Sequence, residues 1–242
     1  MAAVMIIENE EQIEQFINYF NEEIKKVSII NNRLYCKILF SCMIDALATA
    51  RFPKHNTNEK IISFLLNCSK SPELNRVSLV QLQFFLNYTL SDKEKVSSQL
   101  LQFVLQETSK MKDGNVYKGY DIDSYYNQLD VKATFKEKKI LKLARYANLF
   151  YEYRNEMIHG FKKSGYGMEM SYDAPSPYYH SYINKPWQLV FPISFFKMIC
   201  TDALAGLKKY LIDKNVNPYD QYEFGDMWVK RRKLDKIRRP NK

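Results

Sequence analysis

Residues 145–160 read Arg145-Tyr146-Ala147-Asn148-Leu149-Phe150-Tyr151-Glu152-Tyr153-Arg154-Asn155-Glu156-Met157-Ile158-His159-Gly160. Tyr146, Phe150, Tyr153 and Met157 recur every three or four positions, the spacing of one apolar helix face. Leu143 extends that face backwards, and the periodic stretch covers 135–161, the longest in the chain. It predicts one long amphipathic helix. At about 100° per residue, Asn155 and His159 fall within roughly 40° of each other, opposite the apolar stripe. Arg154 sits between the two faces, with a side chain long enough to swing towards His159. Gly160 is the expected C-cap, which leaves His159 in the last turn near the negative end of the helix dipole and favours its protonated form.

Working outward, Ile13, Phe16, Ile17, Phe20 and Ile24 predict a helix over about 8–27. A second runs over 33–51, bounded by Asn31-Asn32 and by Phe52-Pro53, since the residue before a proline avoids helical geometry. Shorter helices follow at 59–68 and 79–89. Ser91-Asp92-Lys93-Glu94 is a capping box. It opens a helix through Val96, Leu100, Phe103, Val104 and Leu105 towards Lys110. Asp113-Gly114-Asn115 is a turn, and 117–131 is polar and aromatic with a short helix from Ser124. After Gly165 the period becomes two: Tyr166, Met168, Met170 and Tyr172 alternate with Gly167, Glu169 and Ser171, and Trp187, Leu189 and Phe191 alternate likewise. These two strands are expected to pair across a loop containing Pro175, Pro177 and Pro186. Residues 194–212 are again helical, and a basic tail occupies 229–242. No repeat or linker interrupts 1–242, so the expectation is a single, mainly α domain with a small β-hairpin after the motif helix.

Composition narrows the functions open to such a chain. Hydrophobic residues make up 46%, enough for a sizeable core, and only 7 Gly and 8 Pro among 242 residues argue against a loop-rich β fold. The formal charge of +9 points to an anionic partner such as nucleic acid. The most apolar stretch, 34–50, contains Lys37 and Asp45 and is too short to span a bilayer, so it reads as a buried helix and no membrane partner is expected. Cys36, Cys42, Cys68 and Cys200 lack metal-ligand spacing and read as buried reduced thiols. With no secretory pattern at the N-terminus, a cytoplasmic location follows as the expectation. No metal or cofactor is expected.

Arg154, Asn155 and His159 combine the groups that cut RNA without a metal. A histidine can take the 2′-hydroxyl proton or protonate the leaving 5′-oxygen, an arginine can clamp the phosphate, and an asparagine can orient either. At these residues the chain resembles the HEPN superfamily, helical domains whose ribonucleases carry Arg, a polar residue, a short spacer and His. The resemblance covers 135–163 directly and the N-terminal helices as pattern. It implies an HEPN-like helical bundle, usually a homodimer, in which two motif helices form one composite site that cuts RNA and leaves a 2′,3′-cyclic phosphate or a related end. It also implies a setting as a toxin, an antiphage factor or an RNA-processing enzyme, with an antitoxin or regulatory partner. Relatives modified on a tyrosine two residues after the His find Phe161 there in this chain. A non-catalytic HEPN-type RNA- or protein-binding module is the alternative.

Further candidates surround the motif. Arg33, Lys37, Ser41, Asp45 and Thr49 form one polar stripe on an apolar cylinder. Asp45 either pairs with Arg154 or orients His159 as a supporting residue, or the stripe is a solvated edge. Lys162 and Lys163 flank the motif as RNA contacts. Tyr178, Tyr179 and His180 either stack on unpaired bases and shuttle protons or pack their own loop. The tail from Lys230 to Lys242 either holds the phosphate backbone or is a solvated charge run.

Overall fold

The computed structural model describes residues 2–162, 169, 175–182 and 185–220, with side chains from Asn9 onward. In chain order its helices are α1 (Ala2–Ser28), α2 (Arg33–Arg51), α3 (Thr57–Cys68), α4 (Leu79–Thr89), α5 (Asp92–Ser97), α6 (Gln99–Thr108), α7 (Gly119–Ile122), α8 (Tyr126–Asp130), α9 (Phe135–Leu143), α10 (Tyr146–Gly160) and α11 (Ile193–Lys214). Two small antiparallel sheets accompany them. One joins β1 (Arg76–Val77) to β3 (Ser124–Tyr125); the other places β4 (Tyr178–His180) between β2 (Val116–Lys118) and β5 (Gln188–Val190).

α1, α2, α3, α10 and α11 enclose the larger core, built on Phe16, Phe40, Leu47, Phe64, Phe150 and Phe196. α2 keeps its expected bounds because Asn32 accepts a hydrogen bond from Tyr35 N at its start and Phe52-Pro53 stops it. α11 crosses α3 so closely at Gly206 that a Cβ there would collide with the Cys68 carbonyl. The smaller core lies under α4, α6 and α9, around Leu82, Leu86, Leu101, Val104 and Leu141. The Ser91–Glu94 capping box forms as expected, with Ser91 N donating to Glu94 Oε2 at 2.8 Å.

Three expectations are corrected. The stretch 135–161 is two helices: Val77 bridges Arg145, and Ser78 N donates to Ala144 O at 2.9 Å, so the backbone turns out of the helix there and leaves Leu143 exposed. The helix from Ser91 likewise restarts at Ser98, whose hydroxyl caps α6 through Leu101 N at 2.9 Å. Among the described residues the strand partner of Gln188–Val190 is Tyr178–His180, inside the segment expected to be loop, with Tyr179 opposite Leu189. The strand expected at 166–172 lies, apart from Glu169, outside the described residues.

Lys37 and Ser41 bury the middle of the α2 polar stripe inside the bundle, while Arg33 is exposed and Asp45 and Thr49 are half-buried. Lys37 is buried, its Nζ 2.6 Å from Glu169 Oε2 and 3.1 Å from the Tyr153 hydroxyl. Glu169 Oε1 accepts Ile193 N at 2.8 Å, which places a carboxylate on the N-terminus of α11, where the helix dipole favours it. One ion pair therefore ties α2, α10 and α11 together.

A second buried polar group joins the two cores. Asp123, between α7 and β3, accepts Leu79 N at 2.8 Å and the Tyr179 hydroxyl at 2.6 Å, and also the Tyr146 hydroxyl; Tyr179 lies 2.7 Å from Ser78 Oγ as well. Gly119 makes room, because any side chain there would strike the Tyr146 hydroxyl. Burial drives both phenols well above their usual pKa, so they remain protonated donors. Burial also pushes the Asp123 carboxyl up from 3.8 to about 7, with the Tyr146, Tyr179 and Leu79 hydrogen bonds opposing. Since the folded value lies above the unfolded one, the group's contribution to stability is complete below about pH 4 and is lost as pH rises through about 7. In urea unfolding at pH 5 and pH 8, wild type is expected to lose about 2–3 kcal/mol more over that interval than Asp123→Asn, whose side chain does not titrate. Equal losses in the two proteins would reject this account.

Candidate functional site

α10 begins beside Asp123 through Tyr146 and carries the motif at its far end. Tyr146, Phe150 and Met157 are buried, and Arg154 is buried with them at 5% exposure, while Asn155 is half-buried and His159 exposed. The helical phase read from the sequence therefore holds for Asn155 and His159. Arg154, expected between the two faces, belongs to the packed side and turns towards α2. There its Nη2 lies 3.2 Å from Asp45 Oδ2, so the ion-pair alternative for Asp45 is the one the structure contains. Arg154 Nη1 donates to Asn155 Oδ1 at 2.8 Å, and Nε is buried with no partner among the described residues. No hydrogen bond or ion pair joins Arg154 to His159.

This arrangement fixes the asparagine amide. With Oδ1 taken by the guanidinium, Nδ2 is the donor group left to the amide, with no acceptor among the described residues, and His159 follows one turn on. Thr49, one turn past Asp45, donates to the Asp45 carbonyl at 2.8 Å, and Lys60 Nζ lies 3.1 Å from Thr49 Oγ1. Cys42, one turn before Asp45, is exposed, a correction to the expectation of four buried thiols. Even so, the protein around it displaces enough water to push the thiol up, with Arg154 opposing and Asp45 adding to the rise.

The C-terminus of α10 also differs from expectation. Gly160 stays helical and the left-handed residue is Phe161, with φ 50°. A bulky residue in that region costs on the order of 1 kcal/mol; here its ring packs 6.2 Å from that of Tyr35 on α2, and Lys162 N donates to Glu156 O at 3.2 Å. Lys162 reaches back to Glu156, Nζ to Oε2 at 2.5 Å, in an exposed pair that solvent weakens and a phosphate can exchange. Lys163 and the tail at 229–242 lie outside the described residues.

Tyr178, Tyr179 and His180 are corrected as base-stacking residues. They form β4, the central strand of its sheet, and are 3%, 0% and 7% exposed. Tyr179 spends its hydroxyl on Asp123 and Ser78. Their rings are core, as the packed-loop alternative has it.

Beside the motif helix the structure opens a groove of about 310 Å³ that the sequence did not signal. Leu149 and Tyr153 of α10 and Leu189 and Phe191 at β5 give it apolar walls, and Glu152 and Glu156 stand at its edge. Its walls come from segments 40 residues apart, so no local pattern marks it. Among the described residues no group of three or more His, Cys, Asp or Glu side chains is arranged to hold a metal ion, and no helix is long and apolar enough to cross a membrane. In comparison with known proteins, no family model, no curated protein and no solved structure matches the chain.

Proposed function

We propose that this chain is a metal-independent endoribonuclease of the HEPN type, cutting RNA at a composite site that two Arg-Asn-x3-His motifs form across a homodimer. The observation that carries the reading is the hydrogen-bonded series Asp45–Arg154–Asn155 ending beside an exposed His159 in the last turn of α10. The net charge of +9 supports an RNA partner.

The chemistry follows from what each group can still donate. A base removes the 2′-hydroxyl proton, O2′ bonds to phosphorus, the P–O5′ bond breaks, and an acid returns a proton to O5′. The ends are a 2′,3′-cyclic phosphate and a 5′-hydroxyl. One chain supplies one exposed imidazole at the motif, so His159 and its dimer mate divide the base and acid roles. Asn155 Nδ2 is the donor to the phosphate. Arg154, paired with Asp45 and largely shielded from solvent, positions Asn155, and Asp45 positions Arg154. Such a nuclease fits a toxin or antiphage role held in check by a regulatory partner.

The burial of Arg154 favours a second reading, a non-catalytic RNA- or protein-binding module in which the Asp45–Arg154 pair is purely structural. Purified protein incubated with structured RNAs in EDTA separates the two. Cleavage is expected, with cyclic-phosphate ends, and His159→Ala should lower its rate at least about 100-fold. Cleavage that survives this substitution defeats the mechanism. Salt-sensitive binding without cleavage favours the second reading.

Asp45 is tested through a split in the kinetic constants. Asp45→Asn keeps shape and one hydrogen bond to Arg154, and should lower kcat about 10-fold with KM within about twofold. Asp45→Ala leaves the guanidinium without its carboxylate and should cost about 1–2 kcal/mol in urea unfolding, the low end for a charged partner because Asp45 is partly solvated. Unchanged kcat in folded Asp45→Asn rejects the positioning role.

A further inference from the structure

The groove beside the motif helix has a composition that selects its occupant. Phe191 is buried and closes the floor of the groove, its ring already packed against Tyr146, Phe150 and Phe195, so the half-buried Tyr153, 5.3 Å from it at 88°, is the aromatic surface a flat ring can meet. Tyr153 is held in place by Lys37, whose Nζ is 3.1 Å from its hydroxyl. A volume of about 310 Å³ sits at the lower end of the ~300–1,000 Å³ of ligand sites, room for one nucleoside rather than a peptide.

The rim decides which ring. Glu156 is neutralised by Lys162, whereas Glu152 has no hydrogen-bond or ion-pair partner among the described residues and lines the groove as a free carboxylate. A carboxylate only accepts hydrogen bonds, so it favours a base edge with two adjacent donors. Guanine alone among the four bases has one, in N1–H and the N2 amino group. Gln81 and Gln188, also on the rim, carry amide donors suited to the O6 and N7 acceptors of the same base. His159 follows Glu156 by three residues, about 4.5 Å along the helix axis and roughly 60° around it. A nucleotide with its base in the groove thus has its phosphate within reach of His159.

From this we infer that the groove is a guanine-binding pocket that sets the base preference of cleavage, an inference resting on the ribonuclease reading for its RNA source. Two arms test it. In the first, RNA randomised around the cut site is cleaved and its ends are sequenced; wild type should enrich guanine at one position by about 10-fold or more. Glu152→Gln, an exposed substitution that leaves the core intact, should abolish the enrichment. In the second, GMP, AMP, CMP and UMP are titrated against tyrosine fluorescence; GMP should bind selectively, and Glu152→Gln should weaken it about 10-fold. Cleavage with no base preference and no selective GMP binding overturns the pocket and leaves the nuclease reading standing. Selective, Glu152-dependent GMP binding without any cleavage upholds the pocket as a site for free guanine nucleotide and defeats the nuclease reading. Neither cleavage nor selective binding overturns both.

Discussion

Asp123 is the joint of this molecule. Its two oxygens accept from the first turn of α4, from the hydroxyl at the start of α10 and from the central strand of the three-stranded sheet. Leu79 belongs to the smaller core and Tyr146 and Tyr179 to the larger, so one buried carboxyl fixes the relation of both cores to the motif helix. A carboxylate taken out of water is costly, and here three donors and the nearby Arg76 offset only part of the cost, which is why the group holds its proton to about pH 7. The cost brings a fixed geometry. Once Tyr146 is tied down, the fifteen-residue helix α10 has a defined start, and every later side chain on it has a defined direction.

From that start the phase of α10 does the rest. Tyr153 meets Lys37 and Arg154 meets Asp45, two charged residues two helical turns apart on the same stripe of α2. The two contacts differ in kind. Lys37 and Glu169 are nearly sealed from solvent, so their attraction is strong and removing either partner strands a buried charge. Asp45 keeps about a third of its side chain in water, which weakens its hold and leaves room for the pair to adjust when another anion approaches. Rigidity is thus concentrated at Lys37, and the stripe's more solvated ion pair lies where RNA chemistry is proposed.

Much of this architecture is written locally and could be read in advance. The bounds of α2 and α4 and the capping box at Ser91 depend on residues within one turn of each other. What escaped reading depends on distant partners. The break at Ala144 exists because Val77, far back in the chain, bridges Arg145. The strand at Tyr178–His180 exists because Val116–Lys118 and Gln188–Val190 flank it. Asp123 is one acid in a polar, aromatic stretch, and nothing in its neighbours announces complete burial. At the motif, phase alone located Asn155 and His159 correctly. It left Arg154 open because a guanidinium 140° round the helix from His159 can satisfy itself on either side, and the position of Asp45 on α2 decides which.

That decision alters how the motif should be understood. An arginine free to clamp phosphate has to face solvent, whereas here the guanidinium lies behind the asparagine and is already bonded to it. It acts through a fixed hydrogen bond: it holds the amide oxygen and so leaves the amide hydrogens as that group's donors. Donors fixed before the substrate arrives need no reorganisation at the moment of reaction, which is the condition under which electrostatic stabilisation is largest. If the chain cleaves RNA as proposed, the same geometry makes one chain insufficient. The outward face of α10 offers one imidazole and one amide, while cleavage needs a proton removed at O2′ and another delivered at O5′ in the same passage. A two-fold axis through this face supplies the second imidazole without any further residue, and it brings two neutral amide faces together rather than two bare guanidinium ions. Keeping Arg154 inside its own chain therefore removes the like-charge repulsion that would otherwise oppose the dimer that the proposed mechanism requires.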